Sequence, residues 1–149
     1  MKPDTTAPQV HGLFDPATWT VTYVVHNGPG TACAIIDPVL DYDPKAGRTS
    51  HTSAEKVIDY VQSNHLSVAW ILETHAHADH LSAAPYLKAR LGGRLAIGSH
   101  ITDVQKVFKG IFNLEPGFKQ DGSQFDHLFQ EGETIPLGAL AGEVLFVPG

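Results

Sequence analysis

The chain has 149 residues, with 10 Lys and Arg against 16 Asp and Glu, for a formal net charge of −6 at pH 7. That length allows one domain with its own core, and the absence of a basic cluster argues against nucleic acid as a partner, because phosphate binding needs concentrated Lys and Arg. With one cysteine, Cys33, no internal disulfide can form. Residues 1–6 lack the apolar run of a signal peptide, and no apolar stretch is long enough for a bilayer. The expectation is a cytoplasmic protein with no membrane partner.

Residues 19–26 alternate as a half-buried strand does, and Asn27-Gly28-Pro29-Gly30 signals a turn. Residues 31–37 then pair back as the second strand of a hairpin, with Cys33 as a small core hydrophobe rather than a reactive thiol. Residues 38–51 read as a long polar connection. Thr52 and Glu55 have capping-box spacing, and Ala54, Val57, Ile58 and Val61 share one helical face up to a stop at Asn64. Residues 67–73 read as an apolar strand, unbroken from Val68 to Leu72, of the kind covered on both faces.

A second helix starts near Ser82 with Pro85 in its first turn and ends at Gly92-Gly93. Residues 94–98 form a short strand. Ser99 is positioned to cap a third helix with Ile101, Val104, Val107 and Phe108 on its apolar face. The stretch 110–125 is irregular. Residues 126–136, broken by a turn at Glu131-Gly132-Glu133, and 143–147 are the last strand candidates.

The chemistry concentrates in Thr74-His75-Ala76-His77-Ala78-Asp79-His80, directly after the apolar strand 67–73. Imidazole and carboxylate are ligands for borderline metals such as Zn(II) and Fe(II). Alternate side chains of an extended segment point the same way, so His75 and His77 can face one metal. Asp79 and His80 follow where the chain must turn, and can reach a second metal or act from outside the ligand set. The alternative is a polar loop whose imidazoles meet solvent. Four ligand-type residues in six positions at a buried strand's end argue against it. His11, His26, His51, His65, His100 and His127 have no ligand-type neighbour at useful spacing, and read as surface or hydrogen-bonded residues. Neither a phosphate-binding Gly loop nor a G-x-S-x-G elbow is present.

The run 74–80 matches the T-H-x-H-x-D-H signature of the metallo-β-lactamase superfamily. The resemblance implies an α/β fold, the four-layer αββα sandwich, of which residues 1–149 hold about the first half. Further ligands are then expected after Pro148-Gly149. The flanking Ile36-Asp37-Pro38-Val39, the 40–49 insertion and Glu131-Gly132-Glu133-Thr134-Ile135 resemble the persulfide dioxygenase branch. That branch implies one Fe(II) per site, glutathione persulfide and O₂ as partners, and sulfite and glutathione as products. Carried over, His75 is the iron ligand, while His77, Asp79 and His80 act from outside the ligand set, with Asp79 and His80 the catalytic candidates.

A glyoxalase II-like thioester hydrolase is the alternative. There His75 and His77 bind one Zn(II), Asp79 and His80 a second, and metal-activated water attacks the thioester. The small residues Ala76 and Ala78 favour the dioxygenase. A third reading is a non-enzymatic metal-binding fragment. Lys45 and Arg48 on the 38–51 connection are the candidate cations of this half for an anionic glutathione, though a solvated loop is the favoured role for both, and a homo-oligomer is compatible with each reading.

Overall fold

A computed structural model describes residues 7–76, 81–112 and 124–147, with only the backbone of 107–112. Six strands form one mixed sheet. In spatial order they are Gln9–Asp15 (β1), Thr20–His26 (β2), Ala32–Ile36 (β3), Ser67–Glu73 (β6), Arg94–Gly98 (β8) and His127–Phe129 (β9). β1, β2 and β3 run antiparallel, whereas β3, β6, β8 and β9 run parallel. The strand 67–73, unbroken apolar from Val68 to Leu72, is thus a central parallel strand, as its composition requires.

The parallel strands are joined by helices Thr52–Ser63 (α1), Ala84–Leu91 (α2) and Ile101–Phe112 (α3). Ala54, Val57, Ile58 and Val61 of α1 recur at helical spacing and are all buried. Together with Leu87 of α2 they pack on Val24, Ile35 and Ile71 of the sheet. Burying each such aliphatic side chain contributes roughly 1.5–3 kcal/mol. Gly93, at φ +93°, turns α2 into β8 where a Cβ would meet Val68 Cγ1 at 2.9 Å. Only glycine satisfies both constraints without strain.

The opposite face carries Ala34, Trp70, Ala96 and Phe129, covered by a hairpin of Thr134–Leu137 (β10) and Leu140–Glu143 (β11). Trp70 Nε1 donates to Pro136 O at 2.8 Å, so the indole fastens the hairpin to the central strand. Val39–Asp43 (β4), Arg48–Ser50 (β5) and Leu81–Ser82 (β7) make a three-stranded ribbon in the order β5-β4-β7.

Several sequence expectations are corrected. Residues 38–51 are a β4–β5 hairpin rather than a polar connection. β1 lies before the first predicted strand. The Thr52–Glu55 capping box does not form: His51 is the N-cap without a side-chain cap bond. Asp41 supplies the need from β4, accepting from Ser53 N at 2.7 Å and Ser53 Oγ at 2.6 Å. α3 continues to Phe112, into the stretch expected to be irregular. The last strand lies at 140–143, not 143–147, because the chain already turns at Gly138. Among the described residues no helix is long and apolar enough to cross a membrane.

Candidate metal centre

β6 delivers the motif to the carboxyl edge of the sheet, where open α/β folds collect ligands. Thr74 and His75 follow immediately after Glu73, the last residue of that strand. The β3–β4 corner, residues 36–40, grips the base of this segment. Asp37 takes φ +53°, an uncommon conformation that Asp tolerates better than most residues. Its backbone N–H donates to Leu72 O at 2.9 Å, and its carbonyl accepts from Thr22 Oγ1 at 2.9 Å. Thus fixed, the buried Asp37 carboxylate accepts from Thr74 N at 2.8 Å and Thr74 Oγ1 at 2.6 Å.

This pair orients the His75 ring. Thr74 Oγ1 has one hydrogen, and it goes to the Asp37 carboxylate, which only accepts. His75 Nδ1 lies 2.8 Å from the same oxygen, so in this arrangement Nδ1 carries the proton and donates. The lone pair of the neutral ring is then on Nε2, the form in which an imidazole ligates a cation. The donor chemistry therefore fits a divalent metal at His75.

The return of the segment is also tied to the corner. Ser82 pairs with Val39 in the β4–β7 ladder, and Ala83 N donates to Pro38 O at 3.0 Å. Ser82 Oγ donates to the buried Glu73 carboxylate. His77, Asp79 and His80 lie outside the described residues. Among the described residues no group of three or more His, Cys, Asp or Glu side chains forms a metal-sized cluster.

Beside His75 opens a cleft of about 750 Å³, within the usual size of small-molecule sites. Thr74 and His75 line it, and Ile101, Val104, Phe129 and Phe146 provide apolar wall. His100 also lines the cleft, its ring stacked on Phe146 with centroids 3.9 Å apart.

The other histidines take the roles their surroundings predict. His26 is buried; Gly28 N donates to its Nδ1 at 3.0 Å, which leaves Nε2–H for Tyr60 Oη at 2.8 Å. His11 and His51 stack on Tyr60 and Tyr86. Cys33 is fully buried, and burial pushes its thiol up to about 12, which suits a core residue. Lys45 and Arg48 are exposed on the β4–β5 hairpin and do not line the cleft.

Sequence reasoning registered Asp37 only as part of a family resemblance, and missed Glu73 as a site residue. Each is an acidic residue closing an apolar strand and so needs a buried partner, but which partner it finds is set by the fold.

The Metallo-beta-lactamase superfamily profile matches residues 19–147. A probable metallo-hydrolase of Burkholderia pseudomallei is 54% identical over 94% of this chain and 48% of its own length. Glyoxylase B2 of Dictyostelium discoideum is 51% identical over 78% of this chain and 40% of its own length. A mitochondrial persulfide dioxygenase of Mus musculus is 26% identical over 92% of this chain and 42% of its own length. A metallo-beta-lactamase structure from Staphylococcus aureus superposes with a TM-score of 0.66 at 19% identity, over 98% of this chain and 36% of that one. The chain thus spans half or less of the length of the relatives it matches.

Proposed function

The chain belongs to the metallo-beta-lactamase superfamily, a metal-dependent group with an αββα fold, and on that premise we propose that the whole protein is a metal-dependent hydrolase acting on a thioester. Residues 19–147 match the superfamily profile, and the chain spans about half or less of the length of the relatives it matches. The observation that carries this reading is the Asp37–Thr74–His75 relay, which holds His75 Nδ1 on Thr74 and leaves Nε2 for a cation, beside a cleft. The relatives of highest identity given above, named as a metallo-hydrolase and a glyoxylase, support hydrolysis as the reaction class. This reverses the order suggested by Ala76 and Ala78: two small side chains between ligands do not choose a reaction.

In this reading His75 and His77 hold one cation, and Asp79 and His80 serve a second. Such a cation supplies Lewis acidity and a nucleophilic water at neutral pH. Thr74 and Asp37 keep the His75 ring in one tautomer and one orientation. The cleft wall at Ile101, Val104 and Phe129 excludes water from the apolar part of a substrate. The test is hydrolysis of a glutathione thioester by the whole protein loaded with Zn(II), with metal counted in His80→Ala. Turnover and loss of one metal equivalent are expected.

A second reading, persulfide dioxygenase with one Fe(II), is favoured by the mouse relative's similarity over 92% of the chain. It requires O₂ uptake with glutathione persulfide on Fe(II)-loaded protein and most of the iron retained in His80→Ala.

A further inference from the structure

We propose that Glu73 is a positioning residue for the metal-ligating segment, fixing its far end through Ser82 while Asp37 fixes its near end. The proposal rests on the metal-site reading above and concerns residues outside the ligand set.

Glu73 is the last residue of β6 and is only 8% exposed. Burying a carboxylate is costly without hydrogen-bond partners, and one of Glu73's is known: Ser82 Oγ donates to Oε1. Ser82 Oγ also accepts from Ala84 N at 3.0 Å, the first residue of α2, so its single hydrogen is committed to Glu73. The contact therefore joins the end of the central strand to the start of the next helix. Between Glu73 and Ser82 lie His75, His77, Asp79 and His80. Both anchors of the ligand-bearing segment are thus buried carboxylates on rigid parts of the fold: Asp37 on Thr74, Glu73 on Ser82. Fixing both ends before the cation arrives removes chain entropy that binding would otherwise have to oppose.

The structural alternative is that the contact only starts α2. Zn(II) affinity of the metal-free whole protein, measured by competition with a chromophoric chelator, separates the two, with circular dichroism and thermal melting of each metal-free variant alongside. Glu73→Leu and Ser82→Ala are expected to weaken Zn(II) binding about 10–100-fold, the usual effect of removing a group that orients ligands. Glu73→Gln, which keeps the acceptor for Ser82, is expected to stay within about threefold of wild type, and the double variant to be no weaker than the worse single, since neighbours sharing one contact are not additive.

A folded Glu73→Leu protein with wild-type affinity overturns the proposal, as does a Glu73→Gln variant as weak as Glu73→Leu. If Glu73→Leu does not fold, Ser82→Ala decides: unchanged affinity overturns the proposal and a 10–100-fold loss supports it. Failure of wild type to bind either Zn(II) or Fe(II) would instead overturn the metal-site reading itself.

Discussion

The two faces of the six-stranded sheet are finished to different degrees. On the helix face, Val24, Ile35, Ile58, Ile71 and Leu87 are at most 1% exposed. On the hairpin face, Trp70 and Phe129 are covered, but towards β1 and β2 Val10, Phe14 and Tyr23 remain 59%, 57% and 41% exposed. The residues are of similar kind, so the difference comes from what lies above them. α1 and α2 seal one face, while the β10–β11 hairpin reaches only the strands around Trp70. Stability of the chain should therefore reside on the helix face, and chemistry at the carboxyl edge beside the hairpin face.

The largest effect expected from this contrast is at Ile71. Ile71→Ala removes a fully buried side chain from the sealed face and should cost about 2–5 kcal/mol in denaturant unfolding. A cost below about 1 kcal/mol would mean that the helix face is not the stabilising one.

At the carboxyl edge, Thr74→Val keeps the shape of the side chain but removes the oxygen between Asp37 and His75. Zn(II) affinity should fall about 10–100-fold. Unchanged affinity in a folded variant would break the relay.

The hairpin gives a pH test. Glu133 accepts from Gln130 N at 3.0 Å and pairs with His127 Nε2 at 2.5 Å, and these contacts hold its carboxyl below its ordinary 4.5. A lowered carboxyl pKa contributes stability above the unfolded value, lost as pH falls through the folded one. Melting temperature should therefore decline as pH drops below 4.5, and Glu133→Gln should flatten that decline. A pH profile identical to wild type would contradict the assignment.

The smallest effect is expected on the open face. Phe14→Thr should change stability by no more than about 0.5 kcal/mol, because the ring is already more than half in solvent. A loss approaching that of Ile71→Ala would erase the contrast between the faces.

The sequence disclosed those parts whose signal is local. α1 and the central strand 67–73 declare themselves by periodicity and by an apolar run, and the 74–80 segment is proposed as ligand-bearing from residue type and spacing. β1 was not legible because its half-buried side carries His11 and Asp15 with Leu13 while its exposed side carries Val10 and Phe14, which blurs the usual alternation. β4 and β5 escaped because a largely exposed polar hairpin has no apolar alternation to show. Thr52 and Glu55 offered a capping box, but Asp41, 12 residues before Ser53, supplied the stronger acceptor from a neighbouring strand. The roles of Asp37 and Glu73 depend on partners 37 and 9 residues away, which no local pattern reveals.

The central claim is that His75, presented by Asp37 and Thr74, is a metal ligand on which catalysis depends. Its most direct test is a paired measurement of bound metal and glutathione-thioester hydrolysis in the whole protein and in His75→Ala, each loaded with Zn(II) and with Fe(II). Metal-dependent hydrolysis by wild type, falling to the buffer rate in His75→Ala together with loss of bound metal, is the expected result. A folded His75→Ala protein that keeps its full metal content and its turnover would contradict it.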